Sequence, residues 1–221
     1  SRSENEAQAT AAACGEHGHE VLVCKANVAK NKQCVEMVNQ VIDRWGRIDA
    51  LVNNAGTTRF CDFADLDGLT KKDFLFLYKV NVVGAYQVTR AAVPYLKQAK
   101  DPSITNTSSI SAISGVGSSI AYAASKGALS TMTLSLAHAL APDIRVNAVC
   151  PGFIQGRRTK DFLGDRYDQV KEQIEETTLL GKTSVPEDIG KTIVHLVEDA
   201  PMTSGQILVL DGGQLVNQGR L

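Results

Sequence analysis

GRIDALVNNAG, residues 46–56, reads as a strand with a helix stop in front of it and small, amide-bearing side chains behind it. Gly46 ends the helical pattern of residues 32–45, where Val35, Val38, Val41 and Ile42 fall on one face. Residues 50–53 are a short apolar run bounded by turn formers, which predicts a strand buried on both faces. Asn53, Asn54, Ala55 and Gly56 close it. Gly56 permits close backbone approach, and the two amides can tie neighbouring strands together. Alone, the same residues are also the ordinary composition of a turn.

The alternation continues on both sides. Upstream, residues 4–17 are alanine-rich and helical, and the turn GEHGHE leads to an apolar strand, VLVCK, at residues 21–25, followed by a polar turn at Asn27. Downstream come a long helix over 71–97, with Pro94 kinking or fraying its last turn, a strand at 104–107, a helix over 121–140 and a strand at 144–150. A polar, flexible stretch at 151–166 precedes helices at 168–176 and 186–197, the second opened by a proline, and a last strand at 206–210. Strands alternating with helices of this length require crossovers and a parallel sheet. The expectation is one Rossmann-like domain over 1–221, a doubly wound α/β/α sandwich. Such sheets bind ligands beyond the carboxyl ends of their strands, and Asn27, residues 53–56, Ser109, Pro151 and Gly152 all follow strands.

Composition narrows the function classes. With 43% hydrophobic and 21% charged residues, the 221-residue chain can bury one sizeable core. A formal net charge of -1 without basic blocks argues against nucleic acid as a partner, and no apolar run approaches the roughly 18 residues that span a membrane. Cys14, Cys24, Cys34, Cys61 and Cys150 form no CxxC pair and read as free thiols of a reducing, cytoplasmic compartment. His17, His19, His138 and His195 form no metal-like cluster, with His17 and His19 on a solvated turn.

The chemistry is placed in SSISAISGVGSSIAYAASK, residues 108–126. Tyr122 and Lys126 stand four apart, on one helical face, with only small residues between them. Free tyrosine holds its proton to about pH 10; a neighbouring cation favours the phenolate and suits the phenol to proton transfer with a carbonyl or alcohol. Alone, the spacing also fits an ordinary amphipathic helix. Ser109, thirteen residues before Tyr122, follows a strand end and can donate to a developing oxyanion. GVGSSI at 115–120 imitates a dinucleotide fingerprint, but it lacks the third glycine and precedes the Tyr122 helix; a substrate-facing loop is the better reading.

S-x12-Y-x3-K, together with NNAG after GRIDALV, Asn81 in KVNVVGAY, NTSS around Ser109, IRVNAVCPG at 144–152 and LVLDGG at 208–213, resembles the single-domain short-chain dehydrogenase/reductases along essentially the whole chain. The resemblance is nearest to 3-oxoacyl-(acyl-carrier-protein) reductases and related alcohol and sugar dehydrogenases. It implies hydride transfer between a nicotinamide cofactor and a small carbonyl or secondary alcohol substrate. Tyr122 would be the acid/base and Lys126 would tune it and bind the nicotinamide ribose. Ser109 would hold the substrate oxygen, and Asn81 would help order a water joining Lys126 to solvent. Asn54, Ala55 and Gly56 would pass beside the cofactor, Asn27 and Val28 would border adenine, and Pro151, Gly152 and Ile154 would line the carboxamide. The family's aspartate at the adenine is Asn27 here, and a frequent threonine of the PGFI loop is Gly156.

Relatives open with a strand and a TGxxxGIG-type turn that holds pyrophosphate. The first residues here correspond to the end of the second strand, so the expectation is that this first β-α-β unit, roughly 30–40 residues, belongs before Ser1. Ser1 then stands where NAD-dependent relatives carry an acid, and Arg2 beside it would pair with the 2′-phosphate, which points to NADP, with NAD as the alternative. Arg157 and Arg158 could attract an anionic substrate group, or simply face solvent. A homotetramer is the family's habit. Two other readings stand beside the oxidoreductase: a catalytically silent structural or regulatory relative, and an epimerase or dehydratase that reuses Tyr and Lys with bound NAD.

Overall fold

The computed structural model describes residues 4–217. Its elements are α1 (Glu4–Gly15), α2 (Asn31–Trp45), β1 (Ala50–Asn53), α3 (Lys71–Tyr78), a π-helical turn (Lys79–Gly84), α4 (Ala85–Leu96), β2 (Ser103–Thr107), α5 (Ser111–Ser114), α6 (Ile120–Leu140), β3 (Arg145–Pro151), α7 (Arg157–Leu163), a 3-10 turn (Gly164–Arg166), α8 (Tyr167–Thr177), α9 (Pro186–Glu198) and β4 (Ile207–Leu210). Local chemistry sets several boundaries. Gly46 takes a left-handed φ of 71° and its N–H closes on Ile42 O, ending α2. Thr70 and Asp73 form a reciprocal capping box at the start of α3, and hydrogen bonds from Thr70 hold the Asp73 carboxyl below its ordinary range. Pro186 fills the first turn of α9, where no N–H is needed.

The four strands are parallel in the order β1-β2-β3-β4, so Asn53 pairs with Asn106, Thr107 with Val149 and Pro151 with Leu210 at one common edge. Apolar side chains leave both faces. Ile104 and Val146 join Val38 of α2, Ala92 and Leu96 of α4 and Ile144 in one buried cluster, with Leu136, Ala137 and Leu140 of α6 against it. Val149 meets Ile189 and Leu196 of α9 and Ala200 in a second. Each fully buried Leu or Ile is worth about 1.5–3 kcal/mol. The result is the expected three-layer α/β/α, Rossmann-like arrangement.

A buried polar chain locks the same edge. Asn53 Nδ2 donates to Thr89 Oγ1 of α4 (3.0 Å) and to Asn106 Oδ1 of β2 (2.9 Å), and Asn106 Nδ2 donates to Thr133 Oγ1 of α6 (2.9 Å). In a dry interior such bonds are costly to leave half-made, so they fix the helices against the sheet.

Three sequence expectations are corrected. Among the described residues, 21–25 belong to no strand ladder. Val21, Leu22, Val23 and Cys24 instead line, with α1 and α2, a cavity of ≈ 500 Å³. The helix over 71–97 is not uniform, since residues 79–84 widen into a π turn, and Pro94 is carried inside α4. The stretch 151–166 is not a plain loop but folds into α7 and the 3-10 turn. Among the described residues, no helix is long and apolar enough to cross a membrane and no group of three or more His, Cys, Asp or Glu side chains could hold a metal ion.

Candidate active site

Helix α6 begins where Ser119 Oγ accepts the Tyr122 N–H at 3.2 Å, which sets the phase of Tyr122 and Lys126 on the helix. One turn on, Lys126 is only 6% exposed, so its charge needs a partner. Its ammonium donates to Thr107 O at the end of β2 (2.8 Å) and lies 5.7 Å from the centroid of the Tyr122 ring. Ser108 holds the helix to the strand end, its hydroxyl donating to Lys126 O (3.1 Å) and pairing with Ser130 Oγ (2.8 Å).

The π turn delivers Asn81 to this site. A single-turn widening of a helix is a common device at functional positions. Asn81 is 1% exposed. Its Oδ1 accepts the Thr57 N–H (2.8 Å), and its Nδ2 donates to Thr57 O and to Ser125 Oγ (both 2.9 Å). Ser125 Oγ in turn donates to Tyr122 O (2.8 Å). The side chain thus clamps the loop after β1 onto α6. Gly56 sits just before the clamp: a Cβ there would lie 3.6 Å from both Asn81 Oδ1 and Lys126 Nζ, so glycine keeps a side chain out of contact with the ammonium.

Ser109 follows β2, 9% exposed, its hydroxyl donating to Ser111 Oγ (3.1 Å) and accepting the Ser111 N–H (3.2 Å). A side chain at Gly117 would collide with Ser111 Oγ and touch the Tyr122 ring at 3.6 Å. Glycine therefore lets this loop lie close to Ser111 and the Tyr122 ring. Asn81, Ser109 and the Tyr122–Lys126 pair, from separate stretches of the sequence, are gathered at one edge of the sheet.

The remaining expected cofactor residues divide. Ala55 and Asn54 are exposed beside Gly56; Asn53 alone ties the strands, while Asn54 gives its N–H to Val52 O (3.1 Å), which corrects the expectation that both amides do so. Asn27 turns its amide oxygen inward to the Ala29 N–H (3.0 Å), and Val28 packs on Gly84 of the π turn. Pro151 ends β3 and its carbonyl accepts the Ile110 N–H (3.0 Å). Gly152 approaches Asp211 so closely that a Cβ would lie 3.0 Å from the Asp211 Cβ. The Ile154 side chain packs on the α9 cluster, and its carbonyl accepts the Thr159 hydroxyl (3.0 Å). Gln155 Nε2 reaches Thr183 Oγ1 (3.0 Å), which donates to Glu175 Oε1 (2.9 Å); hydrogen bonds from Lys171 and Thr183 hold the Glu175 carboxyl below its ordinary range. Ser1 and Arg2 lie outside the described residues.

The mouth of the site contains contacts that the sequence did not announce. Thr58 Oγ1 pairs with Ser118 Oγ, and Cys61 N–H donates to Ser118 O (3.0 Å). Phe60 stacks on Phe162 of α7. Arg157 is ion-paired with Glu6 of α1 and stands 4.0 Å from Asp161, so its charge is already answered within the chain.

Comparison with known proteins matches this architecture. The family described as Enoyl-(Acyl carrier protein) reductase matches residues 1–214. The 3-oxoacyl-[acyl-carrier-protein] reductase of Thermotoga maritima is 37% identical over 196 residues, 86% of this chain and 75% of its own. The crystal structure of a Burkholderia xenovorans chain assigned to the short-chain dehydrogenase/reductases superimposes with a TM-score of 0.89 at 39% identity, covering 96% of this chain and 83% of that one. The L-sorbose reductase of Gluconobacter frateurii, solved with NADPH and L-sorbose, gives 0.87 at 25% identity, covering 97% and 84%. On fold, motif order and these likenesses together, the chain belongs to the short-chain dehydrogenase/reductase family and is an oxidoreductase acting on C=O and CH–OH groups.

Proposed function

We propose that this chain reduces a ketone to a secondary alcohol, and runs the reverse reaction, with Tyr122 as the proton donor and acceptor. The observation that carries the reading is the packing of Lys126 against Tyr122 at the end of β2, with its ammonium 5.7 Å from the ring centroid and anchored on Thr107 O. Bound nicotinamide supplies or accepts the hydride. As the carbonyl oxygen gains negative charge, the Tyr122 hydroxyl passes its proton to it, and the Ser109 hydroxyl donates a second hydrogen bond to the same oxygen. Lys126 stabilises the charge left on Tyr122. Asn81 acts by holding the loop that carries Gly56, a role beside the water-ordering one that the resemblance implies. A ribose hydroxyl would approach Lys126 past Gly56, where a Cβ would touch the ammonium. Gly56 and Lys126 would hold the ribose, with the 152–154 backbone beside the carboxamide.

For the cofactor we take NADP, on the guanidinium of Arg2. A fluorescence titration with NADPH and NADH, followed by loss of NADPH absorbance on adding a ketone, tests both points. Tighter NADPH binding and ketone-dependent consumption are expected. Binding without consumption would favour the silent-relative reading, and tighter NADH binding would remove the role of Arg2.

A homotetramer fits the surface of α3 and α4. Leu75 (58%), Tyr78 (47%) and Tyr86 (45%) are exposed there, more apolar area than a free helix face usually keeps. Leu75→Arg is expected to lower the mass seen by light scattering. A wild-type monomer would contradict the tetramer. The free cysteines and the absence of a basic surface block in the sequence fit a small-molecule enzyme of a reducing cytoplasm.

A further inference from the structure

The loop after β1 and the helix after β3 meet, although β2 lies between their strands. Both leave the carboxyl ends of their strands, so their contact lies at the same edge of the sheet as the end of β2, where Ser109 and the Thr107 carbonyl that anchors Lys126 are found. That contact is the stack of Phe60 on Phe162. Phe60 is held at the mouth by its neighbours: Thr58 Oγ1 on Ser118 Oγ, and Cys61 N–H on Ser118 O, one residue before the cap of the Tyr122 helix. Both residues remain almost half exposed, 47% and 43%, so apolar surface is left at the contact. Ile113 and Val116, exposed on the neighbouring 110–117 segment, extend the apolar rim. The one arginine of α7 whose side chain is described, Arg157, is paired with Glu6.

From this geometry we infer that Phe60 and Phe162 form an aromatic clasp that roofs the site and selects substrates carrying an apolar chain or ring beside the reacting carbonyl, over polyhydroxylated ones. The inference rests on the carbonyl-reducing reading above and names its substrate class. Polar sugars would gain nothing from two ring faces, whereas each methylene of an alkyl chain slid beneath them leaves water.

The test uses the full chain and two ladders. Binding of n-alkanols from butanol to decanol is measured by calorimetry, with and without NADP, and consumption of NADPH is measured with the matching methyl ketones. Wild-type affinity is expected to rise with chain length, up to roughly three- to fourfold per methylene for a fully covered chain. Phe60→Ser and Phe162→Ser are expected to flatten that rise, and Phe162→Leu, which keeps apolar area, to retain most of it. Because both rings are on the surface, these variants keep the core intact, and Phe162→Leu controls for local disruption. A flat wild-type alkanol ladder, or an unchanged slope in both serine variants, overturns the clasp. If the alkanol ladder behaves as expected but no ketone consumes NADPH, the clasp stands and the carbonyl-reducing reading falls. If NADPH is consumed while the alkanol ladder is flat, the reading stands and the clasp falls.

Discussion

Tyr122→Phe is expected to lower kcat by a factor between about a hundred and ten thousand, the usual worth of a positioned proton donor, while NADPH affinity stays near that of the wild type. The variant keeps what sets the helix: the N–H of residue 122 still reaches Ser119 Oγ and its carbonyl still accepts from Ser125 Oγ. The ring also remains beside the Lys126 ammonium. What is lost is the hydroxyl with its transferable proton, so the deficit is expected in kcat far more than in nucleotide binding. Rapid-mixing turnover beside a fluorescence titration separates the two. Wild-type kcat in the variant would remove Tyr122 from the chemistry.

Asn81→Ala is expected to act differently. The amide satisfies both backbone groups of Thr57 and Ser125 Oγ at 2.8–2.9 Å, in a position 1% exposed. Truncation takes the partner from the half-buried Thr57 N–H and C=O, at up to about 1–3 kcal/mol for each group left unsatisfied. The loop carrying Gly56 then drifts, and a displacement of about 1 Å at a reacting site can cost about a hundredfold in rate. Both a lower melting temperature and weaker NADPH binding should accompany the loss of turnover. A variant with normal nucleotide affinity and normal stability would show that the clamp is not what Asn81 provides.

Much of the site was readable because its residues follow strands. The sheet's common edge turns separate loops into neighbours, so NNAG, Ser109 and the PG turn group together from the sequence alone. The i, i+4 spacing of Tyr122 and Lys126 likewise needs only helix geometry. Other features depend on contacts that no local pattern carries. Residues 79–84, KVNVVG, read as continuous helix, and the π turn arises where Asn81 is drawn to Thr57 and Ser125. VLVCK has the composition of a strand, but a strand is defined by its hydrogen-bonded neighbour, which the described residues do not contain. The α7 segment, RRTKDFL, is polar and bracketed by glycines, which mimics a loop. Phe60 and Phe162 are distant in sequence and meet only because the chain crosses β2. Asn106 and Asn147 are ties with a sequence signal of their own, asparagines within strands, and bond Asn106 to Thr133 and Asn147 to Thr203 O (2.7 Å).

The central claim is that hydride moves directly between nicotinamide and a carbonyl carbon while Tyr122 moves the proton. The most direct measurement follows deuterium from NADPH carrying deuterium at both C4 positions into the alcohol formed from a methyl ketone, by mass spectrometry, in wild type and Tyr122→Phe. The account predicts deuterium on the carbinol carbon of the wild-type product, with the variant forming almost none of that product. Alcohol formed without the label, or labelled product accumulating equally fast in Tyr122→Phe, would contradict it.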